Sequence, residues 1–229
     1  MASWLSSHLT TFIRPVDDFR AALQHGFDLA NTDPTALVTF GVVPTEPNTG
    51  FGYLHRGGRL RPGSRAHQVL EFVEKPSAEV ARQYLDSGEY WWNSGMFVWR
   101  AATLLDCLSQ LKPQTRHHVD ELVADPSRLA EVYPCMEKVS VDIAVMEPAS
   151  HGGCGVHVAA IPLEIQWYDV GSYEALAPHL PSDGMGNNVS GLTVSVDSAG
   201  NLLIYDSPDA VLAVAGFNEC LLITYPIRL

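Results

Sequence analysis

Phe72-Val73-Glu74-Lys75-Pro76 sets a carboxylate beside an ammonium where Pro76 must stop a strand. Neighbouring side chains of a strand point to opposite faces, so Glu74 and Lys75 are expected to face apart and not neutralise each other. In α/β sheets ligands bind beyond the carboxyl ends of the strands. There Lys75 is a point charge for a phosphate, and Glu74 accepts hydrogen bonds from sugar hydroxyls. A plain strand end with two solvated charges accounts for the same pair. In Trp92-Asn93-Ser94-Gly95-Met96-Phe97 an amide stands within an apolar run. Asn93 must satisfy it on neighbouring backbone or on a ligand, and Gly95 within a strand marks a bulge or a close backbone approach. In Trp167-Tyr168-Asp169-Val170-Gly171-Ser172-Tyr173, Asp169 is either a helix-capping carboxylate or an oxygen ligand for a hard cation such as Mg²⁺. A fourth stretch, Pro47 to Tyr53, carries Gly50 and Gly52, and Gly52 lets backbone approach a sugar ring closely.

These residues need elements to hold them. From Pro15 to about Ala30, Val16, Phe19, Leu23 and Phe27 recur at helical spacing, with Pro15 in the first turn and Asp17-Asp18 at the positive end. Ala36 to Val42 reads as a short, buried, β-branched strand, and Gln68 to Glu74 as a second. Ser77 caps a helix running to about Asp86, with Gly88 just beyond its end. Trp91 to Trp99 is strand-like, Ala101 to Leu111 is helical before Pro113, and His117 to Val139 is mixed. Val156 to Ile161 is a further strand, and Ser172 opens a short helix ending near Pro178.

After Pro181 the texture turns all-β, with Gly and Asn separating Leu192–Val196, Leu202–Tyr205 and Ala210–Ala215. The expectation is therefore an α/β domain over residues 1–180, a mixed sheet flanked by helices, followed by a β-rich segment over 181–229.

Composition narrows the function classes. Of 229 residues, 46% are apolar, enough for a core. Asp and Glu number 26 against 14 Lys and Arg, a formal net charge of -12. An acidic surface without a basic cluster repels phosphate backbones and anionic lipid, so neither nucleic acid nor a membrane is an expected partner. Any anionic substrate must instead meet a locally placed cation. Cys107, Cys135, Cys154 and Cys220 form no CxxC pair, and the nine histidines have no zinc-ligand spacing, so reduced thiols and a cytoplasmic location are expected. The N-terminus has no signal-peptide pattern, and no apolar run approaches the roughly 20 residues that span a bilayer.

Taken in order, Thr39 to Thr45, Thr49 to Tyr53, FVEKP, WNSGMF, Ser140 to Glu147 (SVDIAVME) and Tyr168 to Ser172 resemble the successive motifs of the mannose-1-phosphate guanylyltransferases, a branch of the sugar nucleotidyltransferases. The resemblance runs from about Pro15 to Asn201. It implies a partial Rossmann-like nucleotidyltransferase domain and the formation of GDP-mannose and pyrophosphate from GTP and mannose-1-phosphate. It also implies roles: Lys75 on the sugar phosphate, Glu74 on the hydroxyls, Asn93 with the backbone at Gly52 and Gly95 on the hexose, and Asp169 as one of two aspartates holding Mg²⁺.

The match departs from the family before Pro15. No Gly-x-Gly-Thr-Arg loop precedes it, and Ser7 stands where the family's second metal aspartate is expected. Little or no turnover by this chain alone is the expectation. Two other readings remain: a non-catalytic sugar-phosphate-binding or regulatory subunit, partnered by a second copy or an intact homologue, and a nucleotidyltransferase for another hexose-1-phosphate.

Overall fold

The structure is a computed structural model and describes residues 3–6, 11–169, 173–205 and 211–224. Its backbone forms two compact units, residues 1–9 with 13–167 and residues 10–12 with 168–229. The boundary expected after residue 180 thus falls within the second unit. Strands β1 (Ser3–Ser6), β2 (Thr11–Arg14), β3 (Ala36–Val42), β4 (Tyr53–Arg59), β5 (His67–Val73), β6 (Tyr90–Arg100), β7 (His157–Leu163) and β8 (Gln166–Asp169) alternate with helices α1 (Val16–Thr32), α2 (Ala78–Ser87), α3 (Ala101–Leu111) and α4 (Pro113–Ala124).

The main sheet of the first unit has the order β1-β6-β3-β7-β5-β4, and β4 also pairs with β6. Only β3 and β7 run parallel; the other pairs are antiparallel. Every residue of β3 is buried, as its apolar, β-branched run requires of a strand covered on both faces. Val38, Phe40 and Val42 pack into one core cluster with Phe19, Leu23 and Phe27 of α1. Leu37 enters a second, with Leu54, Phe72, Trp91, Cys107 of α3 and Ala144 to Met146. A mixed sheet flanked by helices is the result, as expected.

Local signals account for most elements. α1 buries Ala22, Gly26 and Ala30, one small residue per turn, which brings the helix close to the ring of Phe40. Ser77 accepts from the Val80 N–H at the start of α2, and Gly88 ends it in the left-handed region at φ 67°. β4 was not anticipated. It carries Gly57, Gly58 and three basic side chains, and only its first two residues, Tyr53 and Leu54, are fully buried, so it shows neither alternation nor an apolar run. The mixed stretch resolves into α4 and short helical turns, and a π-helical turn follows it at Asp142–Met146.

Among the described residues, the later strands of the second unit pair with one another in parallel. β9 (Asn188–Ser190), β11 (Leu202–Tyr205) and β13 (Leu221–Thr224) form one sheet; β10 (Thr193–Val196) and β12 (Leu212–Ala215) form another. Stacked amides bind the successive layers. Asn201 Nδ2 donates to Asn187 Oδ1 at 2.7 Å, and the Cys220 N–H donates to Asn201 Oδ1 at 2.9 Å. Asn187 and Asn201 are buried, so each amide must find its partners within the protein, and it does. Asp183 anchors the first layer, accepting from Asn187 Nδ2, from the N–H groups of Met185 and Asn187, and from the Ser195 hydroxyl. These bonds, the Asn187 side chain's foremost, hold its pKa down at about 2. The expected short helix begins at Tyr173 (Tyr173–Leu176), while Ser172 lies outside the described residues.

Two expectations follow. Gly41 is buried, and a Cβ there would stand 2.6 Å from a ring carbon of Trp91, so Gly41→Ala is expected to cost about 1–3 kcal/mol in urea denaturation. Asp183 is depressed when folded, so its contribution is complete above the ordinary carboxylate value of 3.8 and disappears as pH falls toward about 2. Thermal melts of the wild type should therefore fall through that window, and those of Asp183→Asn should lack that component.

Candidate functional site

Strand register brings four sequence segments to one place. Tyr53 pairs with Val73 on β5 and with Trp92 on β6, while Val42 and Gly41 of β3 pair with Trp92 and Asn93. One residue further along their chains, Gly52, Glu74 and Asn93 meet at the rim of the sheet. The Asn93 N–H donates to the Gly52 carbonyl at 2.7 Å, which ties the glycine loop to β6. A Cβ on Gly52 would lie 2.6 Å from Glu74 Oε2 and 3.3 Å from Asn93 Cβ. The missing side chain therefore leaves a small notch walled by a carboxylate and an amide.

Glu74 and Lys75 do not face apart. Lys75 takes the left-handed conformation, φ 47°, and this turn swings its Nζ to 2.9 Å from Glu74 Oε1. Strand alternation fails here because β5 has already ended at Val73. The Glu74 side chain is only 12% exposed and that of Lys75 61%, so the pair is rooted at the carboxylate and its ammonium end reaches solvent. The hydrogen bond and charge of Glu74, with the charge of Asp142 behind them, raise the Lys75 pKa above the usual lysine value. The ammonium consequently stays charged throughout the neutral range.

Asn93 is buried, and its amide is engaged at both ends: Oδ1 accepts from the Thr39 hydroxyl at 2.8 Å, and Nδ2 donates to Asp142 Oδ1 at 3.1 Å. The bulge read from Gly95 is present. Between the Thr39–Phe97 and Gly41–Asn93 pairs, β6 has more residues than β3, and Gly95 sits within the excess at φ 71°. The Met96 carbonyl in this bulge turns toward Thr39, whose hydroxyl lies 3.1 Å from it.

Asp169 is the last residue of β8, and its side chain lies outside the described residues, as do Val170 to Ser172. Among the described residues, no three His, Cys, Asp or Glu side chains are grouped to hold a metal ion.

Sequence reasoning missed several members. Thr39 and Asp142 stood inside noted motifs but received no role. A hydroxyl within the otherwise apolar run Ala36 to Val42 was the available signal for Thr39, since a buried donor needs an acceptor. Nothing local marked Asp142. Phe51 packs edge-on against Trp92 and Trp167, with ring centroids 5.2 and 5.1 Å away. Both indole Nε1 groups are buried and have no acceptor among the described residues. A further cavity of about 860 Å³ lies at the carboxyl ends of β3 and β7, lined among others by Pro15, Val42, Thr45, Leu163 and Ile165. Gly52, Glu74, Lys75 and Asn93 do not line it.

Among comparisons with known proteins, the family model described as "Nucleotidyl transferase" matches residues 11–181. A mannose-1-phosphate guanylyltransferase of Escherichia coli is 35% identical over 200 residues, covering 84% of this chain and 41% of the relative. One from Salmonella montevideo is 36% identical, covering 89% of this chain and 42% of the relative. This chain thus spans less than half the length of these curated relatives. Among solved structures, a Thermus thermophilus protein described as "mannose-1-phosphate geranyltransferase" superposes with a TM-score of 0.69 at 27% identity, covering 99% of this chain and 64% of that one.

Thr39 offers a direct test of the buried network. Replacing it with Val leaves the Asn93 and Met96 oxygens without this donor, and Thr39→Val is expected to lose about 1–3 kcal/mol of stability by urea titration.

Proposed function

Since this chain belongs to the nucleotidyl transferase family, we propose that its first unit binds mannose-1-phosphate in the notch at Gly52, as the sugar-phosphate part of a reaction forming GDP-mannose and pyrophosphate from GTP. The observation that carries this reading is the convergence of Glu74, Lys75 and Asn93 around a glycine whose side chain would fill the space. Lys75 supplies the cation that an acidic protein needs locally for a phosphate monoester. Glu74 Oε2, which is not the oxygen paired with Lys75, accepts from a hexose hydroxyl. Asn93 Nδ2 carries a second proton besides the one given to Asp142, and donates it to another hydroxyl. Gly52 and the bulge at Gly95 let backbone approach the ring. The orphaned indole donors of Trp92 and Trp167, close to Phe51, are further groups that ligand oxygens would satisfy.

The chemistry proposed is in-line attack of the sugar phosphate on the α-phosphorus of the nucleotide, in which the protein's contribution is placement and charge neutralisation. Lys75 holds the attacking phosphate; Glu74 and Asn93 orient the sugar behind it. Mg²⁺ is the proposed cofactor; Asp169 would be an oxygen ligand for it, and the ion would supply positive charge to neutralise phosphate. A cytoplasmic location fits such a reaction, and among the described residues no helix is long and apolar enough to cross a membrane.

Titration of the chain with mannose-1-phosphate, followed by thermal shift, tests the reading. The melt is expected to rise, Lys75→Ala to weaken binding at least about ten-fold, and glucose-1-phosphate to bind more weakly. A melt unmoved by mannose-1-phosphate at millimolar concentration, or unaffected by Lys75→Ala, overturns it. With GTP and Mg²⁺ added, pyrophosphate release is expected to stay near background, because no Gly-x-Gly-Thr-Arg loop is present in the sequence to cradle the triphosphate.

A further inference from the structure

The two ends of an asparagine amide are nearly equal in size and opposite in hydrogen-bonding sense, so only the polarity of its partners decides which end points where. Asn93 has two side-chain partners, and they are not equivalent. The Thr39 hydroxyl has a second acceptor in reach, the Met96 carbonyl at 3.1 Å. If the amide were turned over, Thr39 could send its proton to Met96 and accept from Nδ2 instead. Thr39 therefore tolerates either orientation. The Asp142 carboxylate tolerates one. Ionised, it can only accept, and a reversed amide would set carbonyl oxygen against carboxylate oxygen at about the present 3.1 Å separation with no proton between them.

The position of Asp142 is itself held firmly. It opens the π-helical turn Asp142–Met146, whose Ala144, Val145 and Met146 are buried in the core cluster beneath the sheet. Such turns are uncommon and occur often at functional sites. Here the turn delivers a carboxylate to a strand 49 residues away in sequence.

From this geometry we infer that Asp142 is a positioning residue: it fixes the polarity of the Asn93 amide so that an N–H, and not a carbonyl, is presented to the notch at Gly52. The inference rests on the reading of that notch as the sugar-phosphate site, but Asp142 acts through Asn93 and does not itself touch the ligand.

Two measurements test it. In a double-mutant cycle on mannose-1-phosphate affinity, Asp142→Ala weakens binding about ten-fold in the wild-type background and less than about two-fold in Asn93→Ala, because there is no amide left to orient. An equal loss in both backgrounds, or none in the wild type, overturns the role assigned to Asp142. The second needs no ligand. In ¹⁵N NMR of the free protein, the Asn93 side-chain amide protons exchange with water several-fold more slowly in the wild type than in Asp142→Ala, with the backbone spectrum otherwise retained. Unchanged exchange overturns the inference whatever the ligand does. Slowed exchange in a protein that fails to bind mannose-1-phosphate refutes the substrate reading while upholding the Asp142–Asn93 lock.

Discussion

The long strand β6 governs the first unit because it pairs along both edges at once. Near its start, Trp92 sits between Val42 of β3 and Tyr53 of β4. Past the bulge, its second half pairs with β3 on one edge and β1 on the other. The bulge makes this possible. It adds residues to β6 alone, which bends the strand and increases its twist. Without the two extra residues, the register set by Thr39–Phe97 would place Gly41 opposite residue 95 and not opposite Asn93. Gly95 matters for this reason: its φ of 71° is the backbone turn that the bulge needs.

Around that strand the polar residues form one connected set. Thr39 donates to Asn93, Asn93 donates to Asp142, and Asp142 adds to the field that Glu74 exerts on Lys75. Buried donors and acceptors in such a set are costly when unpaired and rigid when satisfied. The only strongly exposed member of this chain of contacts is the ammonium of Lys75, held by a carboxylate that is itself mostly buried. Under the proposed function, a phosphate arriving at Lys75 would meet a cation already paired with Glu74. This is the kind of preorganisation that makes charge neutralisation effective.

The second unit is held by a different device. Its parallel strands are short, three or four residues each, and among the described residues they bury few large side chains, Leu202, Leu203 and Val214 being the principal ones. Cohesion comes from the amide ladder of Asn187 and Asn201 and from the Asp183 carboxylate, which accepts four bonds at the turn. Hydrogen bonds replace much of what a larger apolar core would supply.

Much of the framework was legible in the residues themselves. Helical spacing from Val16 onward, the β-branched run Ala36 to Val42, the Ser77 and Gly88 caps and the punctuation by Pro113 are local signals, and each element formed where they pointed. The candidate residues Gly52, Glu74, Lys75, Asn93 and Gly95 were legible because their types and order form motifs. Their geometry was not. Alternation along a strand placed Glu74 and Lys75 on opposite faces, yet a left-handed residue just past the strand end brought them together. β4 escaped notice because glycines and basic residues mask a strand whose stability comes from its partners. Asp142 escaped because it acts on a residue 49 positions away, through a turn whose hydrogen-bond spacing no periodicity announces. Local sequence determined which elements form and which side chains carry charge. Only the tertiary structure decided which of those side chains meet, because register and a bulge set that across segments distant in the chain.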